Sequence, residues 1–281
     1  MTQAPGNIGS PAQGDNSAAQ RTWNATPVGS QRSIAEPGTL QYFQDLRAYR
    51  YGYETPFIPR FFRFGDMAGK SVLEVGVGNG IDAAEIAEAG ARYTGIDVTA
   101  RHLELTRRHF ELRELPTPRL VCGDLLETDL GETFDIVYSF GVLHHIPRER
   151  EYLGHLRGLL RPGGRLLLGL YGKYSLFNAY LCASWALRAP AGVTLDDWRS
   201  HVAELSPLGD PVTIRIRSRR DVVRMIKAAG LRVERYQKRG FTQGHLPVLG
   251  RFAAPDGPIL NACGAIAGWY HLLDCRPDGG R

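Results

Sequence analysis

Residues 71–80 read Ser-Val-Leu-Glu-Val-Gly-Val-Gly-Asn-Gly, and no other stretch of the chain constrains the fold as much. The apolar, partly β-branched run suits a strand buried on both faces of a parallel sheet. Glycine at 76, 78 and 80 lets the backbone turn sharply and approach a ligand with no Cβ in the way. A helix starting just beyond aims unpaired N–H groups over the turn. A small polar molecule lying across the carboxyl end of the sheet is the natural occupant of such a turn.

The remainder of the middle region alternates strand and helix. A first helix runs from Asp82 to Ala89 and stops at Gly90, and a second strand spans 92–97. Thr99 is placed to cap a helix reaching about Leu112. Strands follow at 119–125 and 133–138, with Cys122 read as a small buried hydrophobe. A helix over 148–161 sets Leu153, Leu156, Leu159 and Leu160 on one face, is ended by Pro162-Gly163-Gly164, and leads to a strand at 165–171. Ser218 to Asp221 resembles a capping box, Val222, Val223 and Ile226 turn inward, Gly230 stops the helix, and strand 231–237 follows. Such alternation predicts an α/β fold, doubly wound around a mostly parallel sheet.

Three turn chemistries compete for the glycines. A P-loop needs Lys and Ser or Thr after its last glycine, and Ile81-Asp82 stands there instead. A G-x-G-x-x-G/A dinucleotide turn fails when counted from Gly76, at Ile81, and passes from Gly78 only through Ala83. The third pattern, E-x-G-x-G-x-G, is filled by Glu74, Gly76, Gly78 and Gly80, and resembles motif I of the class I S-adenosylmethionine-dependent methyltransferases. Asp97, at the tip of the second strand, suits the hydroxyls of a ribose in a dinucleotide or in adenosylmethionine. Gly123-Asp124 resembles the family's adenine-binding strand end. Residues 134–147 (Phe-Asp-Ile-Val-Tyr-Ser-Phe-Gly-Val-Leu-His-His-Ile-Pro) resemble its motif IV, especially in the small-molecule branch, and residues 158–168 resemble the turn and fifth strand behind it. The five elements occur in the family's order over about a hundred residues.

The resemblance implies a seven-stranded Rossmann-like sheet whose last strand, expected at 267–275, is antiparallel. It implies S-adenosyl-L-methionine as cofactor, held by Glu74, Gly76, Gly78, Gly80, Asp97, Asp124, Leu125 and Ser139. Tyr51, in the stretch Arg50-Tyr51-Gly52-Tyr53-Glu54, is a candidate for the amino-acid end, where the Arg50 fork could meet a carboxylate.

Methyl transfer leaves the protein mainly to align and dehydrate the reactants, and a hydroxyl acceptor gains from a base. His145 and His144 follow motif IV and are the candidate catalytic residues. His201 and His245 fall in segments expected over the site, His102, His109 and His155 on helices as surface or packing residues, and His271 on a strand. The chain has Ser139-Phe140-Gly141-Val142 where enzymes acting on nucleobase amines carry [ND]-P-P-[YF]. A small biosynthetic metabolite is therefore the expected acceptor, with oxygen ahead of nitrogen and carbon, and nucleic acid and membrane are not expected partners. The competing functions are a cofactor-binding regulatory module without turnover and, more remotely, a nicotinamide oxidoreductase.

The chain divides into a tail at 1–22, poor in large apolar side chains and expected to be disordered, and a helical segment at 23–66, of which residues 23–33 could fold over the cofactor. The cofactor-binding core takes 67–171 and 218–281, with a cap insertion at 172–217. That insertion carries Tyr174, Phe177, Tyr180, Trp185, Trp198 and the pair Asp196-Asp197. With residues 242–266 it is expected to wall an apolar acceptor pocket. The net charge of +5 is spread along 281 residues. Its densest run, Arg215, Arg217, Arg219 and Arg220, reads first as a strand edge and helix start and second as an anion site. The four cysteines form no C-x-x-C, so neither a metal nor a redox pair is indicated. No membrane span or signal peptide is legible, so a cytoplasmic location is expected, and the oligomeric state stays open.

Overall fold

The computed structural model describes residues 17–246 and 248–279. Residues 1–16 of the segment expected to be disordered lie outside that description. The rest of that segment is helical: α1 (Ser17–Ala25) begins inside it. Ala19 and Thr22 are buried and the Gln20 side chain donates to the Val98 carbonyl, so apolar contact and a bond to the core hold the helix down.

Seven strands form one sheet: β1 (Ser71–Val75), β2 (Arg92–Asp97), β3 (Arg119–Cys122), β4 (Phe134–Phe140), β5 (Leu160–Tyr171), β6 (Leu231–Arg239) and β7 (Tyr270–Pro277). Their spatial order is β3-β2-β1-β4-β5-β7-β6. β1 pairs in parallel with β2 and with β4, so the chain reverses its winding direction beside β1 and opens a crevice at the carboxyl ends there. β7 is antiparallel to both β5 and β6, as the resemblance implies.

All of β1 is buried, and its side chains alternate between two cores. Val72 faces a cluster that includes Tyr138 and Leu167, with Ala83, Ala84 and Ile86 of α4 (Ile81–Glu88). Leu73 and Val75 face Leu153 and Leu156 of α6 (Glu149–Gly158) and Val222 and Ile226 of α9 (Arg219–Ala228). The remaining crossover helix is α5 (Ala100–Leu112). Its His109, buried and stacked on Phe43 at 4.2 Å, has its pKa lowered by burial to about 4. Phe43 belongs to α2 (Leu40–Tyr49), which continues as a π-helical turn over Arg50–Glu54 and then α3 (Ile58–Phe62).

Several local expectations are corrected. β3 ends at Cys122, which is exposed because β3 is an edge strand. α6 ends at Gly158, and Leu160 pairs with Phe134 as the start of β5, which passes through Pro162–Gly164 with a shift of register. Thr99 precedes α5 without capping it: its hydroxyl is buried and unpartnered, and its backbone N–H donates to Asp97 instead. Val223 is exposed, since Val222 and Ile226 one turn apart take the inward face. Ser218 does cap α9, accepting from the Asp221 N–H. β7 starts at Tyr270, because residues up to Ala267 belong to α10 (Pro258–Ala267).

The insertion forms α7 (Leu176–Arg188) and α8 (Leu195–Glu204). Its tryptophans tie the insertion to itself: Trp198 Nε1 donates to Ser184 Oγ and Trp185 Nε1 to the Val193 carbonyl, each at 2.9 Å. Asp197 closes a capping box with Thr194 at the start of α8. The arginine run is structural too: Arg215 donates to the Ile146 carbonyl, Arg217 forks onto Glu149, and Arg219 lies over the Tyr236 ring. Among the described residues no helix is long and apolar enough to cross a membrane.

Candidate functional site

One cavity of about 290 Å³ occupies the crevice beyond β1, β2 and β4. Its floor is the turn Gly76–Asn79. Gly76 holds φ 81°, and a Cβ there would sit 2.1 Å from Cγ2 of Val142, so the turn and the loop after β4 touch at this point. Gly80 is placed differently from the expectation. It does not border the cavity, and a Cβ on it would lie 2.7 Å from Oγ1 of Thr106, so this glycine lets α4 start against α5.

Asp97 reaches the cavity from the end of β2 already oriented. Its Oδ2 accepts the Gly78 N–H at 3.1 Å and its Oδ1 the Thr99 N–H at 2.8 Å. His102 Nδ1 lies 3.3 Å from both oxygens, while His102 Nε2 accepts from the Val28 N–H at 3.4 Å. That second contact places the ring proton on Nδ1, so the imidazole donates to Asp97. Reading His102 as a surface or packing residue misses this contact. Its only sequence signal is a position five residues past the acidic strand tip, one turn into the next helix. Asp124 and Leu125 border the cavity from the loop after β3, where Asp124 Oδ1 accepts the Leu126 N–H at 2.8 Å. Glu74 also borders it, with Tyr93 donating at 2.6 Å. Burial, then repulsion from Asp82, holds the Glu74 carboxyl well above the usual carboxylate range.

Two expected cofactor residues point elsewhere. Ser139 Oγ donates to the Val75 carbonyl at 3.1 Å, stitching β4 to β1 away from the cavity. Tyr51 donates to Asp82 Oδ1 at 2.5 Å. Arg50 borders the cavity but forks onto the same carboxylate, and Tyr138 donates to it at 2.6 Å. The Arg50 fork is thus taken by an internal partner, and Asp82, the second residue of α4, gathers three donors that sequence reading assigns elsewhere.

His145, 5% exposed, also borders the cavity. Its Nδ1 is 2.7 Å from the Thr213 carbonyl and so carries the proton, which leaves a lone pair on Nε2. That lone pair faces Glu204 Oε1 at 3.8 Å, and the same oxygen accepts from the Tyr171 hydroxyl at 2.9 Å. Trp23 of α1 meets the His145 ring edge-on at 5.2 Å. His144 does not border the cavity: its ring stacks on Tyr171 at 3.6 Å, and burial holds its pKa well below the ordinary imidazole value. His201 bonds the Ser206 carbonyl and His245 bonds Thr242, both away from the cavity.

None of Tyr174, Phe177, Tyr180, Trp185 or Trp198 lines the cavity, and neither does any described residue of 242–266. The insertion instead contributes Ala203 and Glu204, from the last turn of α8. The aromatic wall consists of Trp23, Tyr49, Phe140, Tyr152, Tyr171 and Tyr270.

Charge selects the occupant. Glu54, Glu74, Asp82, Asp97, Asp124 and Glu204 line the cavity with Arg32 and Arg50; Arg50 is already matched by Asp82, and burial pushes the Glu54 and Glu74 carboxyls toward their neutral forms. Such a lining opposes a pyrophosphate and suits a ligand that carries a ribose and positive charge. Buried Asn79 Oδ1 beside the turn adds an acceptor without a partner of its own. Adenosylmethionine, with its sulfonium and ammonium, fits these residues.

Comparisons with known proteins agree. A model described as a methyltransferase domain matches residues 73–166. The ubiquinone biosynthesis O-methyltransferase of Nitrosococcus oceani is 31% identical over 172 residues, 56% of this chain and 72% of that one. The counterpart from Aromatoleum aromaticum is 30% identical over 160 residues, 53% of this chain and 68% of that one. The mitochondrial enzyme of Schizosaccharomyces pombe is 33% identical over 108 residues, and there the alignment spans only 39% of the relative. In fold, the chain resembles magnesium protoporphyrin IX methyltransferase from Synechocystis, solved with bound SAH, at a TM-score of 0.60 and 16% identity over 93% of this chain and 99% of that one.

Proposed function

Because the chain belongs to the class I S-adenosylmethionine-dependent methyltransferases, we propose that it methylates a hydroxyl oxygen of a small biosynthetic metabolite. The observation that carries this reading is one continuous cavity bordered by Asp97 and Asp124 and also by His145 and Glu204. The O-methyltransferase relatives favour oxygen over nitrogen or carbon.

Bound S-adenosylmethionine supplies a methyl group on a sulfonium, open to in-line displacement. In this reading Asp97 accepts from the ribose hydroxyls, and His102 keeps its carboxylate turned to the cavity. The turn at Gly76 and Gly78 lets the backbone come close, and Asp124 and Leu125 flank the base. Trp23 and the tyrosines keep water from the acceptor end. His145 engages the acceptor hydroxyl through the lone pair that its bond to Thr213 leaves on Nε2. A small-molecule acceptor, rather than a nucleic acid, suits a cavity covered by α1. A cytoplasmic location belongs to the same proposal and is supported by four cysteines that all remain free thiols.

Calorimetry tests the cofactor end. The parent chain is expected to bind S-adenosylhomocysteine with micromolar affinity. Asp97→Asn keeps one acceptor oxygen and loses the charge, which is worth about 1.5–3 kcal/mol per bond to a charged group, so binding weakens about tenfold to hundredfold. Unchanged affinity in a normally melting variant would remove Asp97 from the site.

A further inference from the structure

We propose that His144, His145 and Glu204 hold a divalent transition-metal cation, zinc foremost, at the acceptor end of the cavity. One ring nitrogen of each histidine and a carboxylate oxygen of Glu204 lie within 4.8 Å of one another. Two features of the cluster, taken together, point to a cation.

The first is the approach of two lone pairs. His145 donates its Nδ1 proton to the Thr213 carbonyl at 2.7 Å, so Nε2 presents a lone pair to Glu204 Oε1, 3.8 Å away. Something positive belongs between them. A proton alone would serve, as an imidazolium–carboxylate pair.

The second feature decides against the proton. His144 is 2% exposed, and neither of its ring nitrogens has a hydrogen-bond partner. A buried polar group left unpaired costs about 1–3 kcal/mol. A proton shared by His145 and Glu204 leaves that cost in place. A cation bound by all three residues gives one His144 nitrogen a partner and fills the space between the two lone pairs.

The surroundings are those of a ligand set. A backbone carbonyl fixing the far nitrogen of a ligating histidine is a common outer contact in metal sites, and here Thr213 provides it. The Tyr171 hydroxyl does the same for the carboxylate, donating to Glu204 at 2.9 Å. Tetrahedral zinc keeps its ligand atoms about 3.3 Å apart, so the 3.8 Å pair needs to close by a few tenths of an ångström. Two imidazoles and one carboxylate suit zinc, or iron, cobalt or manganese, better than magnesium or calcium, which favour oxygen ligands. Three protein ligands leave a position open, and His145, Glu204 and Tyr171 border the cavity where an acceptor oxygen would enter.

This inference rests on the proposed transfer to oxygen. A hydroxyl entering the open position passes its proton to the metal-bound hydroxide it displaces, which leaves as water before the site closes. The oxygen electron pair then forms the new O–C bond, while the pair of the breaking C–S bond stays on sulfur. His145 thus activates the acceptor as a ligand of the metal. A hydroxyl with a second oxygen beside it, as in a vicinal diol or catechol, would bind most firmly.

The test uses the full chain, stripped with a chelator and dialysed. Zinc is titrated calorimetrically, cobalt by visible absorption, and S-adenosylhomocysteine on the same samples. The expected result is one zinc per chain at about micromolar Kd or tighter, and a tetrahedral cobalt spectrum. His144→Ala and the milder Glu204→Gln should each weaken zinc binding by at least about tenfold with S-adenosylhomocysteine affinity unchanged. If the parent binds neither metal stoichiometrically, or both variants bind zinc as the parent does, the metal site is overturned while the methyl-transfer reading survives. A parent that takes zinc but no S-adenosylhomocysteine would instead sink the methyl-transfer reading.

Discussion

Replacing His145 with alanine is expected to lower turnover roughly 10²- to 10⁴-fold and to leave S-adenosylhomocysteine affinity unchanged. The separation of the two effects follows from placement. His145 sits beside Glu204, Thr213 and Trp23, whereas Asp97 is bonded to Gly78, Thr99 and His102. The ring contributes an oriented lone pair, since Nδ1 is committed to the Thr213 carbonyl. Alanine removes that lone pair and the edge contact with Trp23, but no bond to the cofactor end. Single-turnover measurement of methyl transfer, beside a calorimetric titration, reads both quantities. Turnover within about threefold of the parent would show that activation of the acceptor does not pass through this residue.

Asp82→Ala is expected to be among the most destabilising single substitutions, at about 3–5 kcal/mol. Its carboxylate is 4% exposed and is bonded by Arg50, Tyr51 and Tyr138. Truncation strands the Arg50 cation inside the protein, with two hydroxyls that must find other acceptors. Burial alone would raise the Asp82 pKa, but Arg50 and the tyrosine bonds outweigh it and leave the pKa lowered. A carboxyl group with a lowered folded-state pKa contributes stability above its unfolded value, near 4, and that contribution is lost as pH falls through the folded value. The gap between parent and variant in urea unfolding should therefore be full at neutral pH and shrink in acid. The double variant Arg50→Met/Asp82→Leu should recover part of the loss, because no buried charge is then left alone. A single variant within about 1 kcal/mol of the parent at pH 7 would contradict the role given to this cluster.

The sheet was legible in the sequence because parallel strands and their crossover helices repeat with distinct periods, and because glycine marks the turns. β1, β2 and the start of α4 match the expected positions to within a residue. Where β3 and α6 end was not legible, since an edge strand and a helix that runs into a bulged strand are decided by partners distant in sequence. The cofactor end was partly legible. Gly76, Gly78, Asp97 and Asp124 stand where a motif placed them, whereas Gly80, Ser139 and Tyr51 serve packing between elements. The acceptor end was least legible. Glu204 comes from α8, and Trp23 from the segment expected to fold over the cofactor, so only the folded chain brings them to His145. The aromatic residues of the insertion were prominent in composition, yet the Trp185 and Trp198 nitrogens bond within the insertion, and Phe177 packs on Tyr180 and edge-on to Trp269.

A crystal structure of the chain with S-adenosylhomocysteine tests the central claim most directly. The prediction is an adenosine whose ribose hydroxyls lie within hydrogen-bond distance of Asp97, whose base rests beside Asp124 and Leu125, and whose sulfur faces the His145 end of the cavity. An adenosine bound elsewhere, or a crevice that stays empty at saturating ligand, would contradict it.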